Sequence, residues 1–142
     1  MTEILAPLLR FAGAGLIVLA FLHLPMGRRL LWKEDAARMS VLNAAVFHVH
    51  TFFICLAVLL MGVPCLLDPG VLLEKSRAGL WGSWSLCLFW LCRLWCQWFV
   101  YLPSWWKGLR FETAMHWVFT GIWLFLTVLF GLCGAIQSGW TS

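Results

Sequence analysis

The sequence predicts an all-α integral membrane protein built as a bundle of four transmembrane helices. Of its 142 residues, 63% are hydrophobic and only 11% are charged, and the mean hydropathy is +0.89. Soluble domains of this length contain far more charged residues. Four apolar stretches reach the roughly 20 residues needed to cross the hydrocarbon core of a bilayer. We therefore expect a single transmembrane domain over residues 1–142, because no stretch remains for a second domain.

The apolar stretches alternate with segments rich in turn-forming residues. The predicted helices cover about residues 4–24, 39–66, 78–102 and 113–136. The linkers read PMGRRLLWKED, LDPGVLLEKSR and PSWWKGLRFE, and each combines proline and glycine with charged residues. The first stretch has no basic segment before it and no small-residue cleavage site after it. We expect it to be a retained helix rather than a signal peptide.

Basic residues near the helix ends predict the orientation in the membrane. Lysines and arginines are more frequent in the first and third linkers than in the second, so the positive-inside rule places those two linkers in the cytoplasm. The basic residues of the first and third linkers are Arg28, Arg29, Lys33, Arg38, Lys107 and Arg110. We expect a multi-pass protein of the inner (cytoplasmic) membrane with both termini outside. The net charge of +4 then favours contact with anionic membrane lipids and gives no reason to expect a nucleic-acid partner.

Polar side chains within the predicted helices fall in the cytoplasmic half of the bilayer. Counted from the cytoplasmic end of the second helix, His48 and His50 lie roughly 13 to 17 Å deep at the α-helical rise. Arg93 lies about 13 Å from the cytoplasmic end of the third helix. Because unpaired polar groups are costly in a bilayer, we expect these side chains to form one polar layer. This layer comprises His23, His48 or His50, Arg93, Gln97 and His116.

Helical periodicity predicts which polar side chains face inward. On the fourth helix a narrow stripe is expected to face the bundle interior at 100° per residue. The stripe comprises Glu112, His116, Thr120, Trp123 and Thr127. On the third helix, Arg93 and Gln97 share a face.

The second helix carries two histidines that point in different directions. His48 and His50 are two residues apart, so their side chains diverge by about 200° and cannot both face one bundle centre. We expect one to face the interior and the other to face a partner chain or the headgroup boundary. The spacing does not decide which one faces inward, but it favours a homo-oligomer or a larger membrane complex.

The first hypothesis for the polar layer is haem b bound between helices, used for electron transfer within a membrane complex. Membrane bundles hold haem through imidazoles from facing helices. His116 with His48 or His50 would supply the axial ligands, and His23 is an alternative. Arg93, Arg110 and the interfacial tryptophans would hold the propionates at the cytoplasmic side. Gln97, on the face of Arg93, is a further candidate cofactor-binding residue.

The second form of this hypothesis is a bare transition-metal ion. Imidazoles and a carboxylate suit zinc, iron or copper. The candidate metal ligands are His48, His50, His116 and Glu112. Glu112 lies four residues before His116 on the same helix face, but it also fits a helix-capping role paired with Arg110.

Two other classes of function remain open. A hydrophobic cleft with Arg93 at its polar end would bind a quinone, a lipid or another amphiphile, because a guanidinium inside the bilayer needs an anionic partner. Alternatively, the chain is a non-catalytic subunit whose polar layer fixes helix register in a larger assembly. Gly13 and its small neighbours predict a close-packed face on the first helix. No arrangement typical of a catalytic site appears in the sequence, so whether the protein is an enzyme stays open.

Overall fold

The computed structural model describes residues 2–140, and within them every regular element is helical. The elements are α1 (Thr2–Arg29), α2 (Trp32–Ala37), α3 (Val41–Leu67), α4 (Gly70–Leu73), α5 (Arg77–Phe99), a 3₁₀ turn (Pro103–Trp105) and α6 (Arg110–Gln137). The prediction of an all-α protein is therefore confirmed. Of these helices, α1, α3 and α6 are long and apolar enough to cross a membrane.

The fourth predicted span, α5, is a regular helix of 23 residues but is less apolar than the other three. Its sequence contains Arg93 and Gln97 as well as five tryptophans, which count as weakly polar on hydropathy scales. Tryptophan is nevertheless common at membrane interfaces. Length alone would allow α5 to cross a bilayer, since 23 residues correspond to about 35 Å of α-helix.

The helix ends follow local chemistry. Ser40 and Ser76 precede α3 and α5, and each side-chain oxygen accepts a hydrogen bond from a backbone N–H three residues later, at 3.3 and 2.9 Å. α1 continues through Pro25 to Arg29, five residues beyond its predicted end. A turn follows at Leu31, which adopts a left-handed conformation with φ 54° and ψ 35°.

The chain folds into two compact units, one of residues 7–69 and one of the residues on either side of that range. In the unit of residues 7–69, α1 and α3 cross with their backbones in direct contact at Gly13 and Gly62. A Cβ atom on Gly13 would lie 2.7 Å from the carbonyl oxygen of Gly62, and one on Gly62 would lie 2.9 Å from that of Gly13. The predicted close-packed face of the first helix is thus confirmed at Gly13.

The other unit is centred on α5 packed against α6, with α4 beside both helices. Gln137, in the last turn of α6, donates hydrogen bonds to the carbonyl oxygens of Leu72 and Glu74 at 3.0 and 2.7 Å. Its side-chain oxygen accepts from the backbone N–H of Ser76 at 3.0 Å. One buried amide therefore fixes the segment between α4 and α5 to the end of α6.

Candidate functional site

The structure contains two candidate sites, and the first is a buried polar cluster between α5 and α6. Its centre is the carboxamide of Gln97, which is 5% exposed. The Gln97 oxygen accepts hydrogen bonds from Arg93 Nη1 at 3.3 Å and from Trp123 Nε1 at 3.2 Å. Its nitrogen lies 3.0 Å from Nδ1 of His116. The inward stripe predicted for the fourth helix is confirmed at its centre, because His116, Thr120 and Trp123 are buried.

These contacts define the proton position on His116. Guanidinium and indole nitrogens are donors only, so they require the oxygen of the Gln97 amide on their side. The amide nitrogen then faces His116 and donates to Nδ1, which must accept. In the neutral imidazole the proton consequently lies on Nε2. Glu112, expected beside His116 as a joint metal ligand, lies in the first turn of α6, where a carboxylate interacts favourably with the helix dipole.

Aromatic rings enclose the cluster. Trp106 stacks on the His116 ring with centroids 4.0 Å apart and planes at 10°. Trp123 stacks with Trp90 and with Phe119, at centroid distances of 5.1 and 5.5 Å. The rings keep the polar atoms of the cluster in a largely apolar environment.

Arg93 lies at the edge of this cluster and is half-buried. Its Nη2 donates to the Tyr101 hydroxyl at 3.5 Å, and its Cζ lies 4.9 Å from the centre of the Trp123 ring. Such cation–π contacts offset part of the charge. Its contacts with Gln97, Tyr101 and Trp123 are all with uncharged side chains.

The second candidate site is an elongated cleft between α1 and α3 in the unit of residues 7–69. Its volume is about 810 Å³, within the range of sites that hold one small-molecule ligand. The apolar wall residues are Ala20, Phe21, Leu24, Phe47, Phe52, Leu56 and Leu59. The lining on α3 runs from Phe47 to Leu59, which corresponds to about 18 Å along the helix.

One end of the cleft is polar. There α2 lies against both long helices, because Trp32 contacts the edge of Phe47 at a centroid distance of 5.7 Å and packs on Gly27 of α1. Arg28 and Lys33 line this end together with a single carboxylate, that of Glu34. The charged side chains at this end therefore carry a net positive charge.

Two of the predicted histidines also line the cleft. His23 Nδ1 lies 2.9 Å from the carbonyl oxygen of Leu19, so Nδ1 carries the proton and Nε2 keeps its lone pair in the neutral ring. His48 lines the cleft from α3 and makes no hydrogen bond within the described residues. His50 does not line the cleft, and its Nδ1 donates to the carbonyl oxygen of Val46 at 2.8 Å. The histidine that faces the helix pair is thus His48.

The structure brings the predicted site residues together in two groups. Arg93, Gln97 and His116 form the cluster between α5 and α6, and His23 and His48 line the cleft. A single polar layer joining both groups stays a prediction. Across residues 2–140, no group of three or more histidine, cysteine, aspartate or glutamate side chains is placed to hold a metal ion.

Sequence reasoning missed several contributions. Trp106 lies in the third linker, and no spacing rule links it to His116, on which it stacks. The cleft wall formed by Trp32 and Phe47 was also missed, because α2 lies in a segment predicted to be a linker. The strong charge of that linker beside two apolar helices was the available signal.

Comparison of the chain with protein-family models, curated proteins and solved structures finds no match. The residues and their geometry are therefore the basis for the functional assignment.

Proposed function

We propose that the protein is an integral membrane protein that binds one anionic amphiphile, a molecule with an acyl chain and a phosphate or carboxylate headgroup, in the cleft between α1 and α3. The observation that carries the proposal is the division of the cleft into a long apolar wall and a cationic end. An acyl chain would occupy the apolar part, and the headgroup would lie beside Arg28 and Lys33. The protein would thus hold or present a single lipid rather than catalyse a reaction.

The polar groups of the cleft suit a headgroup rich in oxygen atoms. Arg28 and Lys33 supply charge-assisted donors, against one carboxylate from Glu34. The His48 ring has both nitrogens available within the described residues, and in the neutral form it offers one donor and one acceptor. A quinone would use such a histidine but would gain nothing from the two cations. This difference favours an anionic amphiphile over a quinone.

The proposed membrane arrangement keeps four spans, both termini outside and the basic linkers in the cytoplasm. Support comes from three apolar helices of spanning length and from α5, whose 23 residues exceed the thickness of a hydrocarbon core of about 30 Å. The cationic end of the cleft then lies at the cytoplasmic interface, where anionic headgroups concentrate. Labelling of single cysteines introduced in the first linker and near residue 140 tests this topology from each side of the membrane.

Haem b is the second candidate for the cleft, because haem is itself a flat anionic amphiphile. His23 and His48 line the same cavity, and neither uses the Nε2 lone pair in a hydrogen bond within the described residues. They would hold the iron, while Arg28 would bind a propionate. His116 does not fit axial ligation as well, because its Nδ1 accepts from Gln97 and its Nε2 carries the proton. An oxidised-minus-reduced visible spectrum and metal analysis of the purified protein test the haem and metal hypotheses.

The proposed function is tested by blocking the cleft and counting the lipid that remains. Thr51 lines the cleft from α3, so Thr51→Trp should fill it and remove the lipid that co-purifies in mild detergent, measured by native mass spectrometry. Val49→Trp is the matched control, because Val49 is 52% exposed on the same helix and does not line the cleft. Equal lipid retention in both variants would overturn the proposal.

A charge series identifies the headgroup. Arg28→Gln and Lys33→Gln should weaken retention of an anionic lipid, whereas Arg38→Gln, in the same basic linker but outside the cleft, should leave it unchanged. If a neutral lipid or a quinone is retained and the three variants behave alike, the ligand is not anionic.

A further inference from the structure

The buried polar cluster between α5 and α6 ends at Arg93 on α5. Its guanidinium is held by Gln97 on one side and Tyr101 on the other, with donor–acceptor distances of 3.3 and 3.5 Å. A guanidinium has five N–H donors in a planar fork, and these two bonds use two of them. The Trp123 ring lies 4.9 Å from Cζ of Arg93 and is uncharged, as are Gln97 and Tyr101. These uncharged partners leave the positive charge of the guanidinium in place.

The side chain of Arg93 extends toward the end of α5. Its partner Tyr101 follows eight residues later, which corresponds to about 12 Å along the helix axis, and lies just beyond the last helical residue, Phe99. Arginines inside membranes reach the interface in this way, and tyrosine is typical of the headgroup level. In the proposed membrane arrangement, the guanidinium therefore lies near the phosphate groups of the cytoplasmic leaflet.

The sequence of residues 75–111 carries positive charge only, and the carboxylate that follows it, Glu112, lies in the first turn of α6 close in sequence to Arg110. Between Glu74 and Glu112 there is no acidic residue, and the exposed Lys107 and Arg110 follow in the next linker. A headgroup with a positive nitrogen would find no carboxylate in this segment, whereas a phosphate with net negative charge would find several cations. The local charge favours an anionic phospholipid over a zwitterionic one.

From these observations we infer that Arg93 and Tyr101 form a binding site for the phosphodiester of an anionic phospholipid. The remaining guanidinium N–H groups donate to the phosphate oxygens as a fork, and the Tyr101 hydroxyl lies beside them. Gln97 and the Trp123 ring keep the guanidinium in place, so binding requires no rearrangement of the arginine. The inference rests on the proposed membrane location of α5 but not on occupation of the cleft.

The test measures phosphatidylglycerol bound to the purified full chain by native mass spectrometry, with phosphatidylcholine as the reference lipid. Arg93→Met should lower the number of tightly bound phosphatidylglycerol molecules by one or weaken their apparent affinity at least about tenfold. Tyr101→Phe should weaken binding less, because it removes a single hydroxyl. Lys107→Gln, at the same end of the molecule but outside the site, should change the affinity less than about twofold.

Two further arms make the result specific. Thermal unfolding of each variant in phosphatidylcholine alone shows whether the variant is folded. If Arg93→Met does not fold, Tyr101→Phe is used to test the site instead. Arg28→Gln should remove the lipid bound in the cleft but not the lipid bound at Arg93. Comparing the number of bound lipids in Arg28→Gln and Arg93→Met therefore distinguishes the two sites. The inference is wrong if Arg93→Met and Tyr101→Phe both bind phosphatidylglycerol like the unmodified chain. It is also wrong if inorganic phosphate displaces phosphatidylglycerol at equal concentration, because the site would then recognise free phosphate rather than a lipid.

Discussion

Gln97 on α5 and His116 on α6 are joined by a buried hydrogen bond of 3.0 Å between the amide nitrogen and the imidazole Nδ1. The other end of the same amide accepts from Arg93 and Trp123. Because both of these partners are donors only, the amide cannot turn over without placing N–H groups against each other. One glutamine thus fixes the histidine tautomer, the arginine and the packing of two helices.

These hydrogen bonds predict that Gln97→Leu strongly lowers the free energy of unfolding. The apolar side chain would leave His116 Nδ1 and Trp123 Nε1 buried without partners, which costs about 2 to 4 kcal/mol in the free energy of unfolding. Unfolding in mixed detergent micelles measures the loss, with Cys92→Ala on the exposed side of α5 as the control. A loss within about 0.5 kcal/mol of the control would show that the hydrogen bonds contribute little. Combined with His116→Phe, the two losses should not be additive.

The close approach of α1 and α3 predicts that alanine substitutions at two glycines of α1 have opposite effects on stability. Gly13→Ala would place a Cβ 2.6 Å from the backbone nitrogen of Leu66, so the helices must separate at a cost of about 1 to 3 kcal/mol. Gly15→Ala meets no atom within 4 Å and should stabilise the helix by up to about 1 kcal/mol. The midpoints of thermal unfolding of the two variants compare these effects. Equal midpoints would contradict the backbone contact.

The position of Gln137 predicts that alanine substitutions at two glycines of α5 also differ in their effects. A Cβ on Gly79 would overlap the Gln137 amide nitrogen, whereas one on Gly82 would make ordinary contact with Leu72 at 3.7 Å. Gly79→Ala should therefore break the bonds of Gln137 to the segment between α4 and α5, and Gly82→Ala should not. Hydrogen exchange of the Ser76 amide, which donates to Gln137, reports the difference. Unchanged protection in Gly79→Ala would show that this amide is held by other contacts.

Replacing Ser83 with alanine should not destabilise the protein. Its hydroxyl is fully buried and has no hydrogen-bond partner within the described residues. Removing an unsatisfied buried polar group is neutral or favourable, so Ser83→Ala should change the free energy of unfolding by between zero and about 1 kcal/mol in the stabilising direction. The exposed Ser85→Ala is the control. A clear destabilisation would mean that the hydroxyl has a partner in the membrane-embedded protein.

The helices were largely predictable because their lengths follow from apolar runs in the sequence. The end of α1 was predicted too early, since proline often ends a helix, whereas here the helix continues through Pro25. Helical spacing also predicted that His116 and Trp123 face inward. These features depend on local sequence and on periodicity.

The pairing of side chains between helices was not predictable in the same way. Which of His48 and His50 faces the neighbouring helix depends on how α3 is rotated against α1, and that rotation is set by the contact of Gly13 with Gly62. The stacking of Trp106 on His116 depends on the path of a linker. The prediction of a haem or metal site relied on histidine depth, which says nothing about the hydrogen bonds that occupy each imidazole.

The most direct test of the central claim is photo-crosslinking with an anionic phospholipid that carries a diazirine in its acyl chain, followed by peptide mapping. Crosslinks are expected mainly on residues 20–28 of α1 and 47–59 of α3, the two sides of the cleft. These crosslinks should be lost in Thr51→Trp and kept in Val49→Trp. Crosslinks spread over the exposed faces of all the helices, with no difference between the two variants, would contradict a lipid-binding cleft.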